Sequence, residues 1–406
     1  MTDYKLKYNN PSQADFSVNL PLSKSESNRL LLISTLSGAS PELLKVSDCD
    51  DTKSMLYGLT TDDDYVNIGA AGTAMRFLTA FFAISRRTVT LDGSERMRKR
   101  PISPLVTALR ELGAFIEYAE TEGFPPLKIK GTKLSGGEIM MDASVSSQYV
   151  SALMMIAPTL SEPLIIRFDS RPVSLPYIKM TAELMHRCEA TVTMSDSFVT
   201  IHPGSYNLKG ISVEPDWSAA SYWYEICALS RRAIRLPGLK EDSLQGDSGI
   251  VHIFKQLGVE TEFDGNEAKL IPSPIADGIL DINLEDMPDV AQTIAVTSAM
   301  IGKPFNITGL STLPGKETDR LEALRCELSK LGYKVVITSD SISWDGKYSD
   351  STATISIDTY KDHRMAMSFA PVAILRNNIT INDIDVVSKS YPDYWKHLHE
   401  FGIYTV

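Results

Sequence analysis

One recurring pattern limits what this 406-residue chain can fold into. A polar, sharply punctuated start leads into an almost wholly apolar helix. A short β-branched strand follows, then a second helix and a second strand. The first helices read SNRLLLISTL, GTAMRFLTAFFAI, SSQYVSALMMIA, SAASYWYEICAL, DVAQTIAVTSAM and DHRMAMSFAPVAIL. Helices apolar on all faces are expected to be buried on most sides. The second helices are clearest in ALRELGAFIEY, VHIFKQLGVETEF and LSKLGYKVVI, where leucine-glycine stops the helix and a strand begins. Glycine past the last turn supplies a left-handed cap. The third copy, TAELMHRCEATVTM, carries Cys188-Glu189 at that place. A period of roughly 70 residues, shorter in the first copy, makes each copy a supersecondary unit and not a solenoid repeat.

Six units divide into two groups of three, with a boundary near Gly210-Ile211-Ser212-Val213. The chain is also too long for one ordinary core. The first unit begins near Leu20-Pro21, so the residues before it belong elsewhere. The strand YKLKYNN is expected to pair within the carboxy-terminal half, giving two chain crossings. The predicted domains are 21–213, inserted, and 1–20 with 214–406.

Composition, 43% hydrophobic and 22% charged, excludes disordered and fibrous classes. No apolar run reaches membrane-spanning length, and MTDYKLKYNN is neither a signal nor a transit peptide, so a cytoplasmic protein without a membrane partner is expected. A net charge of -11 argues against nucleic acid. A local cationic cleft can still serve a small anion. Cys49, Cys188, Cys227 and Cys326 are far apart and form no CxxC pair, so they read as reduced thiols. No ligand cluster suggests a metal, and none is expected.

The polar starts carry the chemistry. Lys24-Ser25-Glu26-Ser27-Asn28-Arg29 precedes the first helix, Ala70-Ala71-Gly72-Thr73 opens the second and Ser146-Ser147-Gln148 the third. Asp216-Trp217-Ser218 opens the fourth, Asp289 the fifth and Asp362-His363-Arg364 the sixth. Helix starts present free N–H groups and a partial positive charge, which suits phosphate and carboxylate. Lys24, Arg29, Arg100, Lys316, Arg320, Arg364 and Lys389 add cations for more than one acidic group. Taken singly, each start also reads as a plain cap. GAAGT lacks the spacing of a Walker loop or a dinucleotide fingerprint. Pro101 restricts Arg100 to an extended backbone that aims it inward. In KETDR, a helix starting near Lys316 would place Lys316, Glu317 and Arg320 on one side of its first turn. A carboxylate between two cations suits an anionic substrate that gains and loses a proton.

Together the pieces SKSESNR, GTAMR, RKRPI, SSQYVSALMMIAP, PDVAQTIAV, KETDRL, DHRMAM and SYPDYW, in that order from about Leu20 to Phe401, resemble the 5-enolpyruvylshikimate-3-phosphate synthase family. The resemblance implies an α/β fold: a two-domain inside-out α/β barrel, each domain three βαβαββ-type repeats with buried parallel helices, and an active site in the cleft between them. It implies transfer of enolpyruvyl from phosphoenolpyruvate to the 5-hydroxyl of shikimate 3-phosphate, by a monomer without cofactor, and a site open to the herbicide glyphosate. Shikimate 3-phosphate would meet Lys24, Ser25, Arg29, Ser146, Ser147, Gln148, Ser174, Tyr177, Asp289, Thr312 and Lys316. Phosphoenolpyruvate would meet Lys24, Gly72, Arg100, Gln148, Arg320, Arg364 and Lys389. Asp289, Lys316 and Glu317 would carry the proton transfers, with His363 and Lys24 beside them.

Three positions depart from the family's pattern: Ala70 where Asn is common, Phe77 where Pro is frequent, and Thr312 where Asn is common. The related UDP-N-acetylglucosamine enolpyruvyl transferases place a reactive Cys in a loop whose counterpart here, Arg96 to Ile102, has none. An inactive anion-binding relative is the other alternative; the intact Asp289, Lys316, Glu317 and His363 count against it.

Overall fold

The computed structural model describes residues 2–9, 15–142, 146–349, 354–377 and 379–406. The fold is mixed α/β. It divides into two compact units, Leu22–Val213 and Met1–Pro21 with Glu214–Val406.

The unit Leu22–Val213 holds α1 (Lys24–Leu36), α2 (Asp50–Thr60), α3 (Gly72–Ile84), α4 (Ser103–Glu111), α5 (Ser147–Ile156) and α6 (Leu175–Arg187). Two four-stranded sheets share one design. The first runs Tyr65–Asn67, Thr88–Asp92, Leu127–Lys130, Phe115–Tyr118; the second runs Gly137–Met141, Leu164–Phe168, Phe198–Ile201, Val192–Met194. In each, the first two strands are parallel and the other pairs antiparallel. A parallel pair needs a crossover, and α3 and α5 supply it. α1, α3 and α5 pack on one another, which explains their apolar faces. The first copy departs from the expected repeat. It keeps α1 and α2 but has no four-stranded sheet among the described residues, because the segment between its helices is short and holds only the turn Pro41–Leu43.

The second unit holds α7 (Trp217–Ser230), α8 (Ile250–Gln256), α9 (Ala291–Met300), α10 (Arg320–Lys330), α11 (His363–Phe369) and α12 (Tyr394–Phe401). It has three sheets of the same design. Two borrow strands from the chain's beginning. Phe16–Ser17 lies parallel to Ile234–Pro237, and Tyr4–Tyr8 lies between Ile379–Ile381 and Ile403–Thr405, with Leu6 opposite Ile379. Helices α7, α9 and α11 pack together. One hydroxyl from each joins a buried chain, Ser221 to Thr293 at 3.2 Å and Thr293 to Ser368 at 3.2 Å.

The expected caps form. Gly113, Gly258 and Gly332 all take positive φ after their leucines. Glu189 takes the same left-handed place at φ 66°, where a side chain costs about 1–2 kcal/mol relative to glycine. Among the described residues no helix is long and apolar enough to cross a membrane.

Candidate active site

In the second unit, the predicted residues converge on one buried guanidinium. Arg320 is 1% exposed and meets three carboxylates. Its Nε donates to Asp362 Oδ2 at 2.7 Å, Nη1 to Asp289 Oδ1 at 2.9 Å and Nη2 to Glu317 Oε2 at 3.0 Å. Burial alone would push this guanidinium's pKa down, but Asp362, Glu317 and Asp289 outweigh it and hold it above its ordinary value. Asp289 in turn sits 3.4 Å from Lys316 Nζ and 3.2 Å from Arg364 Nη2. Glu317 Oε1 lies 3.7 Å from Lys389 Nζ. His363 is buried, with Nδ1 3.5 Å from Asp362 Oδ1. Four cations and three carboxylates thus form one continuous network.

The chain builds this network from four places. Asp289 lies in the turn Pro288–Val290, immediately ahead of α9. Asp362 caps α11 by accepting from Arg364 N–H at 2.9 Å, so the cap and the partner of Arg320 are one side chain. Lys389 ends the turn Ile384–Lys389. The fourth place corrects an expectation. Helix α10 begins at Arg320, not near Lys316, because Asp319 caps it by accepting from Glu322 N–H at 3.1 Å. Lys316 and Glu317 lie ahead of the helix, after the turn Leu313–Gly315. They reach Asp289 and Arg320 from a loop, not from a shared helical face.

A second group stands in the unit Leu22–Val213. Arg29 is buried on α1 and donates to four neutral oxygens: Thr181 Oγ1 at 2.7 Å, Ser25 O at 2.9 Å, Tyr177 O at 3.2 Å and Ser151 Oγ at 3.3 Å. Among the described residues no carboxylate lies within ion-pair distance of it. Burial pushes its pKa down to about 10. Phe77 and Tyr177 present their rings at 5.4 and 5.8 Å from the guanidinium carbon. The Glu26 carboxylate raises the pKa of Arg29 in part from a distance, and a buried cation hydrogen-bonded only to neutral groups is a strong receptor for an anion. Lys24, on the same helix, pairs with Asp51 of α2 at 3.2 Å.

Nearby chain segments hold Gly72 against Arg100. A Cβ on Gly72 would stand 2.6 Å from Arg100 Nη1. The loop carrying Arg100 is fixed by Arg76, which donates to Gly72 O and Pro101 O, and by Tyr149, which donates to Pro101 O. Arg98 forks onto buried Asp92 at the loop's start. The cap position of α3 is Ala71, without a side-chain bond, and Thr73 Oγ1 accepts from Gln148 Nε2 at 3.4 Å. Ser146 caps α5, accepting from Gln148 N–H at 3.3 Å. Ser174 precedes α6 in the left-handed region, φ 53° and ψ 44°, a conformation that costs about 1–3 kcal/mol and gathers at functional sites.

The family model for EPSP synthase (3-phosphoshikimate 1-carboxyvinyltransferase) matches residues 57–398. The chain belongs to the EPSP synthase family. A curated 3-phosphoshikimate 1-carboxyvinyltransferase of Bacteroides fragilis is 49% identical over 395 residues, which is 97% of this chain and 96% of its own length. One from Photobacterium profundum is 37% identical, covering 96% of this chain and 97% of its own. The solved EPSP synthase of Acinetobacter baumannii shares the fold, with a TM-score of 0.74 at 19% identity, over 99% of this chain and 98% of its own.

Two of the three departures from the EPSP synthase pattern have a visible place. Phe77 is buried beneath Arg29. Thr312 Oγ1 is buried without a hydrogen-bond partner among the described residues, which leaves a donor for a ligand. Ala70 is exposed, and nothing in the structure explains the substitution. Sequence reasoning gave no binding or catalytic role to three carboxylates. Asp51 holds Lys24, and Asp362 holds Arg320. The third, Asp247, is buried beside Arg364 through Ser218. Their partners lie 27 to 117 residues away, a distance at which side-chain pairing leaves no periodic trace.

Proposed function

We propose that the chain transfers the enolpyruvyl group of phosphoenolpyruvate to the 5-hydroxyl of shikimate 3-phosphate, releasing phosphate. The observation that carries this reading is the network around Arg320, where carboxylates fit for proton transfer are interleaved with cations fit for anionic substrates. We further read the fold as a two-domain inside-out α/β barrel, and the two groups of side chains as serving one pair of substrates. A cytoplasmic monomer completes the reading, and the net charge of -11 supports the absence of a nucleic-acid partner.

In this assignment Arg29 takes the shikimate carboxylate, and Ser146, Ser147 and Ser174 take the 3-phosphate. Tyr177 lies against the ring, with Ser25, Gln148, Thr312 and Lys316 completing the contacts. Phosphoenolpyruvate is held by Lys24, Gly72, Arg100, Gln148, Arg320, Arg364 and Lys389. The 5-hydroxyl attacks C2 while C3 gains a proton, giving a tetrahedral phospholactoyl ketal. Loss of phosphate and of a C3 proton gives the enol ether. Asp289, next to Lys316, handles the hydroxyl proton. Glu317, between Arg320 and Lys389, exchanges the C3 proton. C2 becomes cationic as C3 is protonated, so nearby carboxylates stabilise it. Lys24, Arg100 and Lys389 neutralise the departing phosphate, and His363 supports the proton-handling group from beside Asp362.

The test is phosphate release on mixing the purified protein with both substrates. Release that requires shikimate 3-phosphate supports the reading. Release with UDP-N-acetylglucosamine instead assigns the related transferase, and none with either acceptor leaves an anion-binding protein.

A further inference from the structure

One buried carboxylate stands next to the assigned groups with no part in them. Asp247 lies in the single turn Gly246–Gly249 and is 3% exposed. Its Oδ2 accepts the Ser218 hydroxyl, while Oδ1 is buried without a hydrogen-bond partner among the described residues. Leaving a carboxylate oxygen unsatisfied out of water is costly. Stability therefore gives no reason for an acid here.

The turn is fixed on two sides. Gln245, just before it, accepts Trp217 N–H at 3.0 Å and donates to Pro215 O at 2.7 Å. Gly249, at its end, packs against the side-chain end of Met287, which leads into Pro288-Asp289. Asp247 is thus held between the start of α7 and the segment bearing Asp289.

Ser218 passes its influence on. Its Oγ accepts from Arg364 Nη2 at 3.3 Å, and the same Nη2 lies 3.2 Å from Asp289 Oδ2. A serine hydroxyl has one proton. Donated to Asp247, it leaves the oxygen lone pairs facing Arg364. We propose that Asp247 is a positioning residue, which through Ser218 holds the Arg364 guanidinium in the orientation that receives phosphoenolpyruvate. The role rests on the assignment of Arg364 to that substrate.

The groups facing Asp247 are Arg364 from α11, Asp289 from the turn before α9, and Asp216 and Ser218 from the start of α7. Burial is the largest influence and pushes Asp247 up to about 6, with Arg364 pulling down and the two carboxylates pushing up. A protonated Asp247 donates to Ser218, whose own proton then faces Arg364, donor against donor. A raised carboxylate pKa also means that the folded state binds the proton more tightly than the unfolded one. Stability from this group falls as pH rises from 3.8 to about 6, and stays lower above that.

The test is steady-state kinetics of Asp247→Asn, Ser218→Ala and the double variant, varying each substrate in turn. Each single variant should raise the KM for phosphoenolpyruvate about tenfold, the double variant no further, and the KM for shikimate 3-phosphate should change less than about twofold. Asp247→Asn should melt no lower than the wild type at pH 8. Its pH profile for phosphoenolpyruvate should lack a component near pH 6 that the wild type shows. An unchanged KM in either single variant, or additive effects in the double, overturns the relay. Arg364→Lys separates the two levels of the argument. If that variant also leaves the KM for phosphoenolpyruvate unchanged, the assignment of Arg364 fails and takes the role of Asp247 with it. If Arg364→Lys raises it while Asp247→Asn does not, the relay alone is wrong.

Discussion

Replacing Gly72 by alanine tests the proposed phosphoenolpyruvate site where Gly72 and Arg100 are in close contact. Gly72 is the first residue of α3 and does not take a positive φ, so alanine can adopt its backbone without strain. The obstacle is a neighbour. The new Cβ would stand 2.6 Å from Arg100 Nη1 and 3.2 Å from Cζ and Nη2, where ordinary contact begins at 3.4 Å. The guanidinium must retreat by about 0.8 Å to restore contact. Arg100 is half-buried at the end of a long side chain, so it can do this at little cost to folding. Alanine in a helix is moreover favoured over glycine by up to about 1 kcal/mol. A charge-assisted hydrogen bond contributes about 1.5–3 kcal/mol, and a retreat of this size forfeits most of it. The KM for phosphoenolpyruvate should rise about 10- to 100-fold, with that for shikimate 3-phosphate within about twofold. Glyphosate, expected from the family resemblance to bind in the same subsite, should inhibit less. Melting curves and steady-state kinetics on one preparation decide the matter. A lowered melting temperature with both KM values raised alike would make Gly72 a purely structural residue. Intact folding with unchanged phosphoenolpyruvate KM and glyphosate inhibition would remove it from the pocket.

Asp289→Asn keeps the shape but removes the charge shared by Lys316, Arg320 and Arg364; turnover should fall about 100-fold or more, measured as phosphate release, while calorimetry finds shikimate 3-phosphate bound within about tenfold of wild type. For Asp92, burial opposes ionisation, but Arg98, Tyr65 and the Gly93 N–H together outweigh it and hold the carboxyl below its usual range. Its stabilising contribution is therefore present above 3.8 and lost as pH falls through the lower folded value, so the acid-unfolding curve of Asp92→Asn should be shallower than that of the wild type. Gly113 and Gly332 cap helices in the same left-handed conformation, but only Gly332 abuts a backbone carbonyl, that of Ser349. Gly113→Ala should cost about 1–2 kcal/mol and Gly332→Ala distinctly more, read as melting temperatures.

What the sequence made legible was set by how local each signal is. Apolar helices show through because α3, α5, α7 and α9 are buried along nearly their whole length. The leucine-glycine stops show because a left-handed cap leaves a two-residue signature, and the exception at Glu189 keeps the geometry without the glycine. The start of α10 was misread although its signal is present. Asp319 followed three residues later by Glu322 is a capping pattern, and it competes with the i, i+4 spacing of Lys316 and Arg320. The crowding at Gly72 was hidden for the opposite reason. Nothing near it in sequence announces Arg100, 28 residues on, as the atom that would meet a Cβ. Asp247 shows the same limit, since a lone acid in QGDSG reads as a turn until Ser218 and Arg364 are seen beside it.

The two groups of cations differ in a way that bears on the order of events. Arg29 donates only to neutral oxygens, with the Glu26 carboxylate acting on it at longer range, so an anion arriving there has no hydrogen-bonded carboxylate to displace. Its attraction inside the protein is correspondingly large. Arg364 and Lys389 are different, because each lies against a carboxylate of the proton-handling set, Asp289 or Glu317. On the proposed assignment, phosphoenolpyruvate draws on cations that Asp289 and Glu317 also use. A carboxylate that yields part of its cation to an incoming anion binds a proton more tightly. On that assignment, binding of phosphoenolpyruvate raises the basicity of Asp289 and Glu317. On the same assignment, shikimate 3-phosphate, held from Arg29, brings the hydroxyl whose proton is to move. Binding of phosphoenolpyruvate and the readiness of Asp289 and Glu317 to exchange protons are, on this assignment, one electrostatic event, carried by Arg320, Arg364 and Lys389.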